Sequence, residues 1–131
     1  MNREELKAAA VAMLERSYVP YSHFPVGAAL ECADGSVFTG CNVENAGYSP
    51  TLCAERVAVG KAVSEGHTDF VRIAVAGRSE NYCVPCGVCR QVLMEFAPEI
   101  EVICLNRDGE ELALPLKELL PYGFDPSYLG K

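Results

Sequence analysis

Three cysteines and one glutamate stand at spacings that could support metal chemistry. Cys86 and Cys89 form a C-x-x-C pair introduced by Pro85, and Cys53 lies two residues before Glu55. A C-x-x-C pair supplies two thiolate ligands from one turn, and a third thiol from another element fills three positions of a tetrahedral zinc ion. Because the fourth position stays open for water, the pattern predicts a catalytic zinc site.

The two thiol-bearing stretches are both predicted to begin helices. The segment SPTLCAERVAVGKAVSEG, residues 49–66, predicts a helix entered through its first three residues, with Cys53 in its first turn. The segment PCGVCRQVLMEF predicts a second helix that opens at Pro85 and Cys86 and ends before Pro98. A helix N-terminus carries unpaired N–H groups and roughly half a positive charge, which lower the pKa of a thiol and stabilise its thiolate. Both helix starts therefore favour zinc binding.

Two further side chains are placed to assist such a centre. Three thiolates leave a zinc ion with net negative charge, so charge must be withdrawn from the sulfurs if bound water is to ionise near neutral pH. Arg56, close to Cys53 in sequence, could donate charge-assisted hydrogen bonds to the sulfurs. Glu55 could reach the open coordination position without being a ligand, which is where a proton shuttle belongs.

Other interpretations of the cysteines remain open. C-x-x-C is also the redox motif of thioredoxin-like proteins, although that motif needs neither a remote thiol nor a glutamate. Cys83 begins the run CVPCGVC, so it could join the other three thiols in a closed structural zinc site with no place for water. An iron-sulfur cluster of the same opening would need a further cysteine where Leu93 stands. The open site is favoured because Cys83 lies outside the predicted helix start and a closed site leaves Glu55 without a task.

The composition indicates a small-molecule ligand. The chain has 131 residues, about the size of one domain, and 18 acidic against 11 basic residues, for a net charge of −7. Such a charge disfavours binding to a nucleic acid polymer or an anionic membrane, since phosphate contacts require cations. Seven cysteines, an odd number, together with an N-terminal stretch unlike a signal peptide and no apolar run long enough to span a membrane, predict a reduced, cytoplasmic, soluble protein.

The elements that must position these residues alternate between helices and strands. Besides the two helices above, the periodicity predicts a helix over 3–17, a loop over 18–25, strands over 26–32 and 36–44 with a hairpin at Asp34-Gly35, strands over 70–77 and 100–106, and a last helix over 114–121. The order is α, β, β, α, β, α, β, α, which predicts a single α/β domain over 1–131 with a mixed sheet.

Together these motifs resemble the cytidine deaminases of the small homotetrameric, zinc-dependent type. The resemblance lies in YVPYSHFPVGAAL (18–30), GCNVENAGYSPTLCAERVA (40–58), PCGVCRQVL (85–93) and ELLPYGF (118–124). Its C-x-E followed by P-C-x-x-C pattern is the zinc-deaminase motif in its three-cysteine form. The resemblance implies a three-layer domain with a mixed, mostly five-stranded sheet packed by helices. It also implies hydrolytic deamination of free cytidine and deoxycytidine to uridine and deoxyuridine with release of ammonia, in pyrimidine salvage.

The resemblance assigns roles to residues at matching positions. Cys53, Cys86 and Cys89 would hold Zn²⁺, and Glu55 would move protons between the attacking water, pyrimidine N3 and the leaving amine. The substrate would be held by five residues: Phe24 against the pyrimidine ring, Asn42 and Glu44 on the ribose hydroxyls, the backbone at Ala54 on the base, and Phe124 contributed by a neighbouring subunit of a homotetramer with shared active sites.

Two positions depart from the usual pattern of the family. Gly47 stands where alanine is common, and Val84 stands where serine often precedes PCG, so substrate preference and subunit contacts are the properties they bring into question. A related alternative is a deaminase of the cytosine nucleoside antibiotic blasticidin S, which Asn42 and Glu44 disfavour because they predict ribose recognition. A polynucleotide editor, which shares the motif, is disfavoured by the acidic charge, and a non-catalytic zinc module by the presence of Glu55.

Overall fold

The strands form one mixed five-stranded sheet in a computed structural model that describes all 131 residues. In chain order they are β1 (Val26–Cys32), β2 (Val37–Cys41), β3 (Phe70–Gly77), β4 (Glu101–Leu105) and β5 (Glu111–Pro115). Their order across the sheet is β2-β1-β3-β4-β5. Only β3 and β4 run parallel, and the other neighbours are antiparallel.

Helices cover both faces of this sheet. They are α1 (Arg3–Ala12), extended by a 3-10 turn over Met13–Arg16, α2 (Ala54–Ser64), α3 (Gly87–Phe96) and the single turn α4 (Leu116–Leu119), and a last 3-10 turn spans Pro126–Leu129. On one face α1 packs its Leu6 and Ala10 against small and branched residues of the central strands. On the other face α2 and α3 bury Ala58 and Leu93 against Leu30 of β1 and its neighbours. The predicted three-layer α/β fold is confirmed.

Sequence periodicity alone mispredicted the region after β4. The helix expected over 114–121 is the end of β5 followed by α4, which is only four residues long. Residues 111–115 pair with β4 in antiparallel register, and Gly109, with φ of 79°, turns the chain between them. Because β5 is a sheet edge with mostly half-exposed or exposed side chains, its hydrophobic alternation is weak.

Two other local predictions need correction. The helix predicted over 49–66, which is α2, begins at Ala54 rather than at residue 49, and Cys53 is its N-cap. In the β1–β2 hairpin only Gly35 has a positive φ, 92°, while the Asp34 carboxylate accepts a hydrogen bond from the Ser36 N–H at 2.9 Å. The hairpin therefore depends on an aspartate side chain as well as on glycine.

The start of α2 is held very close to β2. Gly40 faces the first turn of the helix, and a Cβ atom built at Gly40 would lie 2.2 Å from the carbonyl oxygen of Ala54 and 2.7 Å from the nitrogen of Ala58. Only glycine permits this separation of helix and strand. No helix of the chain is both long enough and apolar enough to cross a membrane.

Candidate metal-binding active site

The functional residues predicted from the sequence lie mainly beside one end of the strands, where β1 begins and β2 and β3 end. The first residue of β1, Val26, pairs with the last residue of β3, Gly77, and Gly27 pairs with the last residue of β2, Cys41. Since β1 is antiparallel to both neighbours, the ends of β2 and β3 meet at its beginning. From this end of the strands, the chain leads from β2 into α2 and from β3 into α3.

Three thiols converge where these two helices begin. The sulfurs of Cys53, Cys86 and Cys89 all lie within 4.8 Å of one another, and the Sγ atoms of Cys53 and Cys86 are 3.8 Å apart. Cys53 is the N-cap of α2 and Cys86 is the N-cap of α3, while Cys89 lies in the first turn of α3. Exposure falls across the group, because Cys86 is exposed, Cys53 is half-buried and Cys89 is buried.

This donor set fits a zinc ion. Zinc–thiolate bonds of about 2.3 Å in a tetrahedron place neighbouring sulfurs about 3.8 Å apart, which agrees with the separation of Cys53 and Cys86. Soft thiolates at two helix starts are also the ligand type and the electrostatic setting that zinc favours. Cys83 is not among the gathered sulfurs, so the arrangement supplies three ligands and leaves one position of a tetrahedron free.

Neighbouring groups stabilise the negative charge of one sulfur. Interaction with the Cys89 thiol, followed by a hydrogen bond from Arg56, holds the pKa of Cys53 well below its ordinary value. The pKa of Cys89 is raised in turn, first by its interaction with Cys53 and then by burial. The Nη2 atom of Arg56 lies 3.2 Å from the Cys53 sulfur, and its buried Nε atom has no hydrogen-bond partner. The geometry thus provides the contact between Arg56 and a sulfur that the sequence suggested.

Glu55 lies in the first turn of α2 and is almost fully buried, with 4% of its surface exposed. Burial raises the pKa of its carboxyl to about 7, since desolvation penalises the charged form. Such a carboxyl can exchange a proton in either direction near neutral pH.

A cavity of about 150 Å³ adjoins the thiols and Glu55. Its wall includes five of the predicted site residues other than Glu55, namely Phe24, Asn42, Cys53, Ala54 and Cys86. Val84, one of the two positions that depart from the family pattern, also lines it. Most of the lining is apolar, which suits the faces of a planar ring.

Cys83 contributes a thiol to this cavity that is not one of the gathered sulfurs. Burial, followed by the nearby Glu55 charge, raises the pKa of the Cys83 thiol to about 12, so it stays protonated. The sequence singled out Cys83 only as a fourth ligand, and its place in the cavity wall depends on the backbone path after β3, which no spacing indicates.

Asn42 and Glu44 anchor the loop over 18–25. The Asn42 side chain accepts a hydrogen bond from the Val26 N–H at 2.9 Å and donates one to the Phe24 carbonyl at 2.8 Å. One carboxylate oxygen of Glu44 accepts from the backbone N–H groups of Tyr21 and Ser22, each at 3.1 Å, and the other accepts from the Ser22 hydroxyl. These contacts fix Phe24 at the mouth of the cavity, a structural role that the sequence did not indicate.

Glu44 and Phe124 do not line the thiol cavity. Glu44 lies in a separate and larger cleft of about 410 Å³. Tyr21, from the loop before β1, and Tyr48 and Thr51, from the loop between β2 and α2, line the same cleft. Phe124 lies beyond α4, with 52% of its surface exposed, and stacks on Tyr128 at a centroid distance of 5.0 Å. A single chain therefore leaves Phe124 outside its own cavity.

Comparisons with known proteins identify the family of this chain. The family model of the cytidine and deoxycytidylate deaminase zinc-binding region matches residues 1–105. The chain is 47% identical over 125 residues to the cytidine deaminase of Halalkalibacterium halodurans, covering 95% of each sequence. It is 46% identical over 131 residues to that of Sporosarcina psychrophila, covering 99% of this chain and 96% of the relative. The crystal structure of cytidine deaminase from Burkholderia pseudomallei superposes with a TM-score of 0.91 at 45% identity, covering 95% of this chain and 100% of that chain.

These likenesses extend over nearly the whole chain and include the region that carries the thiols and Glu55. They confirm the resemblance inferred from the sequence motifs. The chain belongs to the cytidine deaminase family and is a hydrolytic deaminase.

Proposed function

We propose that this enzyme deaminates free cytidine and deoxycytidine to uridine and deoxyuridine, with release of ammonia, in pyrimidine salvage. The observation that carries the proposal is the convergence of three thiols, two of which, Cys53 and Cys86, line a mainly apolar cavity together with the buried carboxyl of Glu55. Cys53, Cys86 and Cys89 are proposed to hold one zinc ion. When bound, the ion supplies the Lewis acidity that makes a water molecule a nucleophile near neutral pH.

Glu55 is proposed to carry the protons of the reaction. Its carboxylate accepts a proton from the attacking water as the water oxygen bonds to C4 of the pyrimidine, and it delivers that proton to N3. A second transfer brings the remaining proton to the exocyclic nitrogen as the C4–N bond breaks, so that the products are uridine and ammonia. A burial-raised pKa suits a group that must act as base and then as acid.

The cavity wall, together with Glu44 outside it, supplies groups for binding the nucleoside. The ring of Phe24 is half exposed at the cavity and can pack on the base, and the backbone at Ala54 begins α2, where N–H groups lack helical partners. Asn42 has two donors and two acceptor sites and uses one of each, while Glu44 uses three of about four acceptor sites. Each retains capacity for a ribose hydroxyl.

Shared active sites in a homotetramer complete the proposal. A cavity of about 150 Å³ is smaller than the roughly 300–1,000 Å³ of typical ligand sites, so one chain encloses too little space for a nucleoside. Phe124 is half exposed and outside its own cavity, which suits a side chain that is contributed to a neighbour. The net charge of −7 favours a free nucleoside over a nucleic acid polymer. A ligand set of three reduced thiols suits the cytoplasm, where thiols are kept reduced.

The direct test is the loss of cytidine absorbance on incubation with the purified enzyme, with deoxycytidine and blasticidin S as parallel substrates. We expect turnover of both nucleosides, loss of turnover after treatment with a zinc chelator, and recovery when zinc is restored. Turnover that survives complete removal of zinc would refute the role of the metal. Turnover of blasticidin S alone would replace the proposed substrate.

The role of Glu55 is tested separately by Glu55→Gln. This change keeps the size of the side chain but removes its acid and base forms, so turnover should fall about 100-fold or more. Zinc content should stay at the wild-type level, because Glu55 is not among the gathered ligands. Turnover within a few-fold of the wild type would assign proton transfer to another group.

A further inference from the structure

We propose that Gln91 positions Phe124 for substrate binding by tethering the C-terminal segment to the helix that carries two of the thiols. The proposal rests on the function proposed above, in which Phe124 completes a nucleoside site. The Nε2 atom of Gln91 donates a hydrogen bond to the Phe124 carbonyl at 2.8 Å. Gln91 is thus a positioning residue that acts through Phe124.

The hydrogen bond from Gln91 is one of several contacts between α3 and the C-terminal end of α4 with the segment that follows it. Arg90 donates to the carbonyl of Leu119, the last residue of α4, at 2.8 Å. Gly123 lies so close to the helix that a Cβ atom there would be 2.8 Å from the Cε atom of Met94. The end of α4 and the segment after it are therefore held at three points along one helix, and Gln91 holds the point nearest to Phe124.

Arg90 extends the same contact to the metal-binding thiols. Its Nε atom donates to the Pro85 carbonyl at 2.7 Å. The peptide bond from Pro85 to Cys86 is planar, so this hydrogen bond fixes the peptide plane directly before a thiol-bearing residue. Arg90 of α3 therefore contacts both the peptide group before Cys86 and the end of α4, from which the C-terminal segment continues.

Phe124 needs such a tether because little else fixes it. It is half exposed, and its observed aromatic partner, Tyr128, is itself 62% exposed. An exposed side chain loses conformational freedom when it binds a ligand, and a fixed backbone reduces that loss. The hydrogen bond from Gln91 supplies the fixed backbone at Phe124 itself.

Two variants remove the donor in different ways. Gln91→Glu keeps the shape but replaces the N–H donor by an acceptor, and Gln91→Met removes the donor without adding charge. We expect each to raise the KM for cytidine about threefold to tenfold, the range that follows from losing one hydrogen bond. The kcat and the zinc content should remain close to the wild-type values. Glu95→Gln, on the same helix, makes the reverse exchange at an exposed position and is the matched control.

A double-mutant cycle with Phe124→Ala distinguishes positioning from a general effect on the fold. If Gln91 acts through Phe124, Gln91→Glu should raise KM in the wild-type background and have no further effect once Phe124 is alanine. Equal effects in both backgrounds, or a fall in zinc content with Gln91→Glu, would overturn the proposal.

The same experiment separates this proposal from the function on which it rests. A wild-type enzyme that leaves cytidine unchanged would refute the proposed substrate. A wild-type enzyme that deaminates cytidine, with a KM unaffected by Phe124→Ala, would keep the function and overturn the role of the tether.

Discussion

The contact between Gly40 and the start of α2 predicts opposite outcomes for two changes from glycine to alanine. In Gly40→Ala the new methyl group would stand 2.2 Å from the Ala54 carbonyl oxygen and 2.7 Å from the Ala58 nitrogen. Both atoms belong to the backbone, so no side chain can rotate away. The shorter distance is more than about 1 Å below ordinary contact, which lies near 3.5 Å. The helix must therefore move away from β2.

The cost can be placed on a scale from the structure. Overpacking a core against movable side chains costs about 1–3 kcal/mol, and a backbone obstruction should reach or exceed the upper end of that range. We expect Gly40→Ala to lower the free energy of unfolding by about 3 kcal/mol. Gly60→Ala lies on the exposed side of the same helix with no atom within 4 Å of its new methyl group. It should raise stability by about 0.5–1 kcal/mol, because alanine is the better helix former.

The same displacement should reach the metal site. Cys53 directly precedes Ala54, so a shift of the helix start by about 1 Å moves its sulfur by a comparable distance, while metal–ligand distances tolerate only about 0.2 Å. Gly40→Ala should therefore bind zinc more weakly, and Gly60→Ala should bind it as the wild type does. Urea unfolding of the metal-free proteins and metal analysis after dialysis measure the two effects. Wild-type stability and zinc content in Gly40→Ala would refute the reasoning.

Other predictions address the ligands and the surface. Cys53→Ala should lose zinc on metal analysis, whereas Cys83→Ser should retain it; full zinc occupancy in Cys53→Ala would transfer a ligand role to Cys83. Hydrogen bonds from Arg3, then Lys7, lower the pKa of Glu111 to about 2 from its ordinary value of 4.5. A group whose pKa is lowered in the folded protein stabilises the fold at pH values above its ordinary pKa. This stabilisation is lost as the pH falls through the pKa of the folded state. Glu111→Gln should therefore be about 1 kcal/mol less stable at pH 7, after allowance for solvent screening, and the difference should vanish between about pH 4.5 and pH 2. A difference that is constant with pH would exclude this ion pair as its cause.

The sequence predicted those parts of the molecule whose signals are local. Residues 70–77 carry a buried strand pattern, and the spacing of Cys86 and Cys89 behind Pro85 marks a helix start, and the structure has both elements. The strand over 111–115 was missed because its pairing with β4, and not its own alternation, makes it a strand. Its turn at Gly109 was the available signal.

The candidate site shows the same difference between features with a local sequence signal and features that depend on long-range contacts. The cysteine spacing, together with the predicted helix starts and the presence of Glu55, predicted that Cys53, Cys86 and Cys89 would converge without Cys83. The hydrogen bonds of Asn42 and Glu44 to the loop over 18–25 could not be predicted, because that loop has no periodic pattern from which its path follows. The contact of Gln91 with Phe124 joins positions 33 residues apart, and nothing in the spacing of either residue indicates it.

Neither helix that begins at a proposed zinc ligand has a side-chain cap. Asn2 and Glu5 cap α1 reciprocally, yet Cys53 and Cys86 occupy the N-cap positions of α2 and α3 without a capping hydrogen bond. Serine at either position would be the better cap, by about 1 kcal/mol, but a poor zinc ligand. Selection for thermal stability alone would thus favour serine at both positions and remove two of the proposed zinc ligands. Attempts to make this protein more heat-resistant should therefore leave these two uncapped helix starts unchanged.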